Sequence, residues 1–367
     1  MKKGLLQIQL ILQYKKVMEN SDFLGEVETI IVGGGQAGLS VGRYLKELGR
    51  PFVILEKNEN IGQPWIDRYD SLVLDSFAKY SQLEGFPFWG SLWGDPLRHA
   101  GKNEVIIYLQ SFAKHYNIVL QFSTEVCKIE KEKDRFVVYT NKGIYNAHFV
   151  VLATGPFQKP FIPKVAEDVP QNIYQIHSND YRNPKQLKDG SALVVGSGNS
   201  GVEIAEELLE AGKEVLFSYK GKLKSVRSSP LSQWLAYRLG LAHVPKNSLL
   251  GKLIIWYTKG KPVGVNVSSL LKNPNLTSVG AFNVEITKKV SNIIWATGYE
   301  SDFSLISIPG FDSQKQKRGV TNIPGLYLLN IRWQHSKSSS HLAGVSRDAK
   351  YIASHISCDT IKRQDKK

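Results

Sequence analysis

Cysteine is nearly missing from this chain: its 367 residues include two, Cys127 and Cys358. Two widely separated thiols cannot build a disulfide framework, a four-ligand zinc site or a Cys-x-x-Cys redox pair, so no metal site is expected. Long apolar runs are missing as well. No stretch approaches the ~18–20 continuous apolar residues of a membrane-spanning helix, which predicts a soluble, cytoplasmic protein with no integral membrane segment. Acidic residues are outnumbered, 33 against 47 lysines and arginines, giving a net charge of +14. The cations are scattered in clumps such as Lys220, Lys222, Lys224 and Arg227, with no helix-turn-helix or zinc-finger pattern. That argues against a nucleic-acid partner and suits the handling of small polyanions. With 42% hydrophobic and 22% charged residues, the composition is that of an ordinary globular protein. The length accommodates two or three domains of ~100–200 residues.

Several features punctuate the chain. Residues 1–25 read as an N-terminal extension, whose first part faintly imitates a signal peptide but is interrupted by Gln7 and Gln9 and lacks a small-residue cleavage site. Residues 357–367 read as a frayed, charged tail. Between them lies an internal repeat: a β-rich run, a glycine turn and an amphipathic helix occur near residue 30 and again near residue 193. A hydrophobic strand ending in Ala-Thr-Gly also occurs twice, at Ala153–Gly155 and Ala296–Gly298, with prolines between the halves. This pattern predicts an α/β fold of two Rossmann-like dinucleotide-binding domains, one inserted into the other. The expected boundaries are 26–160 and 291–356 for the outer domain and 161–290 for the inserted one.

The first turn is Gly33-Gly34-Gly35-Gln36-Ala37-Gly38, entered from the strand Glu28–Val32 and followed by apolar residues at Val41, Tyr44, Leu45 and Leu48, the period of a one-faced helix. Gly33 allows the tight turn, Gly35 lets the backbone approach a pyrophosphate, and Gly38 permits close helix–strand packing. Amides at the helix start, Gln36 among them, can face phosphate oxygens. Glu56 ends the next strand, where a carboxylate can accept both hydroxyls of a ribose.

The second turn is Gly196-Ser197-Gly198-Asn199-Ser200-Gly201. The offset that leads from Gly33 to Glu56 leads here from Gly196 to Tyr219, and Lys220 comes next. An acid would repel a 2′-phosphate and a cation attracts it, so this site is expected to take NADP rather than NAD, with Lys220 on the phosphate. Two unlike dinucleotide sites in one chain suggest flavin chemistry, with FAD in the outer domain and NADPH in the inserted one.

The two turns, Gly62-Gln63-Pro64-Trp65 with Arg68-Tyr69-Asp70-Ser71-Leu72, His177-Ser178-Asn179-Asp180-Tyr181-Arg182, Ile294-Trp295-Ala296-Thr297-Gly298-Tyr299 and the late Trp333-Gln334-His335 make up a larger pattern. In these segments, from about Glu26 to Ile356, the chain resembles the flavin-containing monooxygenases, in particular the branch of plant YUCCA-like enzymes and bacterial CzcO-like flavoproteins. The resemblance implies that NADPH reduces FAD, that O2 adds at the flavin C4a carbon, and that an oxygen atom passes to a small organic substrate. It also implies Trp65 near the flavin and Thr297 as a linker residue near NADP.

His177 and Tyr181 match the His-x-x-x-Tyr part of the monooxygenase fingerprint, whereas its upstream Phe-x-Gly reads Gln171-Asn172-Ile173 here. His177 is not assigned a catalytic role. Where many relatives carry an asparagine near the flavin, this chain has Leu74-Asp75-Ser76-Phe77, making Asp75 the candidate catalytic residue. Leu231–Trp256 reads as an apolar helical segment packed into the core of the inserted domain; lining a substrate path or touching a membrane surface are the alternatives. An NADPH-flavin reductase or oxidase and a non-catalytic nucleotide sensor are the competing functions. The sequence leaves a homodimer open and does not disclose the substrate.

Overall fold

The computed structural model describes residues 23–221, 223–226, 229–258 and 261–364. The expected extension up to residue 22, together with Lys222 and Arg227, lies outside the described residues. The chain forms two compact units, one made of residues 1–63, 109–155 and 302–367 and the other of residues 64–108 and 156–301.

In the first unit a seven-stranded sheet carries the core. The strand Phe23–Val32 pairs in parallel with Phe52–Leu55 on one side and with Gly143–Leu152 on the other. β-Branched and aliphatic residues fill this centre, and Ile30, Ile31, Val150 and Val151 are fully buried. Such near-continuous apolar strands are expected where both faces of a parallel sheet are covered. The far edge of Gly143–Leu152 is shared: its first half pairs with the antiparallel meander of Arg135–Thr140 and Val126–Glu132, and its last residues pair in parallel with Leu326–Leu328. The helix Gln36–Glu47 covers one side and packs against the long helix Leu342–Gln364. That long helix buries Leu342, Val345, Ala349, Ile352 and Ile356, a stripe at helical spacing.

The second unit holds a five-stranded, all-parallel sheet in the order Tyr174–His177, Asn292–Trp295, Ala192–Val195, Val215–Ser218, Leu276–Ser278. The helix Asn199–Glu210 follows the central strand and buries Val202, Ile204, Ala205 and Leu208 against it. In both units the strand before the glycine turn is flanked by neighbours on both sides, so the turn opens at a topological switch point, where open α/β sheets bind ligands.

The segment 64–108 and the strand Asn292–Trp295 group with the second unit, a different cut from the expected domain boundaries. Tyr69 explains part of this, since it is buried in the same apolar cluster as Val202 and Phe217. The terminal segment is not frayed from residue 357, because the last helix runs on to Gln364 and buries Thr360. Finally, Leu231–Trp256 is not core. The helices Pro230–Arg238 and Leu249–Thr258 bury no residue except Gly251, for among the described residues no second layer covers them.

The last helix and the exposed helix Leu249–Thr258 predict unequal stability effects. Ile352→Ala should cost about 2–5 kcal/mol and visibly lower Tm, as for other buried aliphatic truncations. Leu253→Ala, on the exposed helix, should change stability by less than about 0.5 kcal/mol. Thermal unfolding of both variants checks the pair.

Candidate nucleotide sites and the carboxylate cluster beside the second

The two glycine turns are built alike, atom for atom. The amide of Gly33 donates to Leu55 O at 2.8 Å, and that of Gly196 donates to Ser218 O at 2.9 Å. Both residues have positive φ, 105° and 118°. A Cβ at Gly33 would lie 2.8 Å from Ala153 O, and one at Gly196 would lie 2.2 Å from Ala296 O. The Ala-Thr-Gly segments therefore press directly on the turns, which is why they recur together. At Gly38 and Gly201 a Cβ would meet the carbonyl oxygen of Gly33 or Gly196 at 1.9 Å, so both must be glycine for the helix to start there.

Gly35 and Gly198 differ from these. Their φ values, −78° and −73°, suit any residue, and a Cβ on either would have nothing within 4 Å. Neither helix has a side-chain cap on its first amides. Neither backbone strain nor packing among the described residues calls for a glycine at these two positions. Open space over uncapped helix amides fits a group brought from outside, and a phosphate is the ligand such a terminus favours. The residues present thus fit a dinucleotide at each turn.

Around the first turn, Glu56 is buried and accepts from the amide of Gly34 at 2.7 Å and from the amide and side chain of Asn58 at 2.9 and 2.7 Å. The carboxylate is fixed at the strand end; Oε1 accepts two bonds and Oε2 one, so capacity for a ribose remains. Gln36 is turned inward, donating to Ser340 O at 3.1 Å and, at 3.5 Å, to Asn330 Oδ1. Asn330 and Trp333 hold positive φ, 69° and 57°. For a tryptophan this backbone is strained, and such strain persists where the surrounding structure enforces it, often at a site. Trp65, in the short helix Gln63–Ile66, is half-buried and belongs to the second unit.

Around the second turn, Lys220 is exposed and makes no hydrogen bond or ion pair among the described residues, two residues past the end of the strand Val215–Ser218. Asn199 has a bracing role: its carboxamide accepts from Val263 N at 2.9 Å and donates to Val263 O at 2.8 Å, with Asp75 Oδ2 at 3.4 Å. Its backbone amide alone is left for a ligand. Asp75 is half-buried and tightly overlaid, for a Cβ on Gly264 would lie 2.8 Å from its own Cβ. The Thr297 hydroxyl donates to Phe161 O, beside the pairing of Tyr299–Glu300 with Lys159–Pro160, and so ties the segment after Asn292–Trp295 to the one around Phe161. His177 is buried, accepting at Nδ1 from Asn179 N at 3.0 Å and lying 3.1 Å from Gly298 O through Nε2. Burial lowers its pKa, so it is a neutral structural residue.

A cluster that the motifs do not reveal lies beside this turn. Glu203, one helical turn after Asn199, accepts a hydrogen bond from the Tyr69 hydroxyl, and Ser200 lies within hydrogen-bond reach of the same hydroxyl. Burial, reinforced by Asp75 and Glu206, pushes the Glu203 carboxyl up to about 7. Burial and the Glu203 charge push the Tyr69 phenol far up. Glu207 repeats the arrangement with Tyr181, whose hydroxyl donates to it at 2.8 Å. The sequence offers one weak signal of this: two acids at i and i+4 flanking the buried stripe of the helix. Among the described residues, no group of three or more His, Cys, Asp or Glu side chains is arranged to hold a metal.

Two outcomes follow. Gly35→Ala and Gly198→Ala should leave Tm within about 1 °C, as substitutions into open space, while weakening nucleotide binding at the altered turn alone; calorimetry with each nucleotide checks this. Glu203 binds its proton more tightly folded than unfolded, so it favours the folded state below its ordinary value of 4.5 and loses that contribution as pH rises to about 7. Across that window the Tm of the wild type should fall relative to Glu203→Gln, and a parallel pair of Tm–pH curves would refute it.

Comparison with known proteins agrees with this geometry. Residues 30–329 match the family model described as pyridine nucleotide-disulphide oxidoreductase. A CzcO-like oxidoreductase of Geobacillus kaustophilus is 39% identical over 90% of this chain and 98% of its own length. The CzcO oxidoreductase of Bacillus subtilis is 38% identical over 90% and 99% of the two chains. Among solved structures, a flavin-containing monooxygenase from Stenotrophomonas maltophilia shares the fold with a TM-score of 0.72 at 22% identity, over 92% of this chain and 100% of that one. With both Rossmann-type turns present and matched along nearly its whole length, the chain belongs to the pyridine nucleotide-disulphide oxidoreductase family, within its CzcO-like group of oxidoreductases.

Proposed function

We propose that this oxidoreductase is an FAD- and NADPH-dependent monooxygenase acting on a small organic substrate. The observation that carries the proposal is the pair of open glycines, Gly35 and Gly198, over uncapped helix starts in two unlike settings. The first setting has a buried acid at the strand end, Glu56, suited to the ribose of FAD. The second has Tyr219 there and Lys220 exposed beside it, suited to the 2′-phosphate of NADPH. A disulfide reductase of the dithiol type is disfavoured, since the two cysteines stand far apart in sequence, Cys127 in the strand Val126–Glu132 and Cys358 in the last helix, and form no Cys-x-x-Cys pair.

When bound, the flavin supplies hydride acceptance and reaction with O2. The chain's part is to bind, orient and manage protons. Gly33, Gly35, Gln36, Gly38 and Glu56 hold FAD; Gly196, Gly198, Asn199, Ser200, Gly201 and Lys220 hold NADPH. Trp65 and Thr297 join these as contacts to flavin and NADPH. Asp75 is the candidate catalytic group, a carboxylate at the head of the second-turn helix with Asn199 at 3.4 Å, able to take or return a proton. The Tyr69–Glu203 pair behind it holds one further proton near neutral pH.

Two measurements test this reading. Lys220→Ala should raise the KM for NADPH by roughly tenfold or more, the scale of losing one charge-assisted phosphate contact, and barely move that for NADH. An equal effect on both removes Lys220 from the phosphate. For the reaction itself, NADPH oxidation in air should release less peroxide per NADPH once a substrate is added, with oxygen from O2 recovered in the product. Stoichiometric peroxide with every substrate offered would favour the oxidase reading.

A further inference from the structure

The helix pair Pro230–Arg238 and Leu249–Thr258 supplies none of the residues proposed to hold a nucleotide, and its surface is unusual. Its outward side chains are large and apolar: Leu231 is 65% exposed, Leu239 65%, Leu249 91% and Trp256 76%. Large apolar side chains exposed in such number mark an interaction site. The helices are nonetheless firmly built. Ser229 and Ser232 form a capping box with Pro230 in the first turn, and Gly240 ends the helix in the left-handed conformation. Gly251 admits the loop so closely that a Cβ would lie 2.0 Å from Pro245 O.

The first helix is also mounted the reverse of the usual way. Its polar residue Gln233 faces the protein, accepting from Phe77 N at 2.9 Å and donating to Asp75 O at 3.3 Å. Trp234 and Leu235 face solvent instead. The helix is thus held through Gln233, and among the described residues Trp234 and Leu235 stay exposed, open to a partner.

The charge around it identifies that partner. Between Val215 and Val284 the sequence has ten lysines and arginines and no aspartate or glutamate, so this segment supplies most of the net charge of +14. Arg238 and Lys252 are exposed on the helices themselves, and Lys261 lies over the Tyr257 ring at 4.3 Å. A two-fold contact with a second copy would set two such cationic surfaces face to face. A polynucleotide would leave the leucines unmatched. Leucines flanked by Trp and Tyr and bordered by Lys and Arg match the layered chemistry of an anionic bilayer surface: acyl chains, interface, then phosphate.

We propose that this helix pair docks the protein on the surface of an anionic phospholipid bilayer. The insertion is peripheral, since among the described residues no helix is long and apolar enough to cross a membrane. It does not depend on the cofactor assignment.

Vesicle sedimentation of the full-length, cofactor-loaded protein tests it. Binding to phosphatidylcholine vesicles containing about one part in four phosphatidylglycerol should exceed binding to pure phosphatidylcholine by roughly tenfold or more and weaken in about 0.5 M salt. The triple variant Leu249→Gln, Leu253→Gln, Trp256→Gln should lose the binding and keep the wild-type Tm and rate of NADPH oxidation. If that variant does not fold, Lys246→Glu with Lys252→Glu must give the same loss. Wild-type protein that ignores both vesicles, or variants that bind like wild type, would overturn the proposal. So would a solution dimer, or tight binding to single-stranded RNA, abolished by the same substitutions.

Discussion

The structure depends on one steric constraint, met twice. A parallel strand must end, turn and enter a helix within five residues while a second strand presses its last carbonyl onto the turn. Only glycine fits where Gly38 and Gly201 would place a Cβ 1.9 Å from the turn's own carbonyl, and only glycine adopts the φ of Gly33 and Gly196 without strain. Once this is satisfied, the helix begins with its amides bare and aimed out of the sheet. Gly35 and Gly198 then leave the approach to those amides open. Anion binding follows from the turn, without further machinery.

The two copies of this device diverge in what surrounds them. At the first, Glu56 is clamped by the amide of Gly34 and by Asn58, so an acid stands ready and fixed. At the second, the acid's place is taken by Tyr219 and an exposed lysine, and the carboxylates appear elsewhere, on the helix behind the turn. Asp75, Glu203 and Tyr69 bring negative charge and a trapped proton next to the positive end of that helix. Burial sets the protonation of Glu203 near neutrality, and the phenol that donates to it cannot readily ionise. The difference between the sites is therefore electrostatic rather than architectural.

Legibility in the sequence followed locality. The turns, their strands and helices, Glu56 and Lys220 could be read because each is fixed by spacings within one βαβ unit. The Ala-Thr-Gly segments were visible as repeats, but their contact with Gly33 and Gly196 was not. Pairings across the chain left no trace: Tyr69 with Glu203 joins residues 134 apart, and Asn199 with Val263 joins residues 64 apart. Asn199, legible as a turn residue, turns out to spend its side chain on bracing a loop. The apolar run Leu231–Trp256 misled for a different reason. Hydrophobicity predicts burial only when some layer exists to do the burying, and a sequence does not say which helices lack one.

The central claim is that one chain holds two unlike dinucleotides and passes electrons from one to the other. Anaerobic titration of the purified protein with NADPH, followed by the flavin absorbance, tests it most directly. The account predicts one tightly held FAD per chain, bleached by an equivalent of NADPH and far more slowly by NADH. Protein that is colourless and takes up no FAD, or bound FAD that NADPH leaves oxidised, would contradict it.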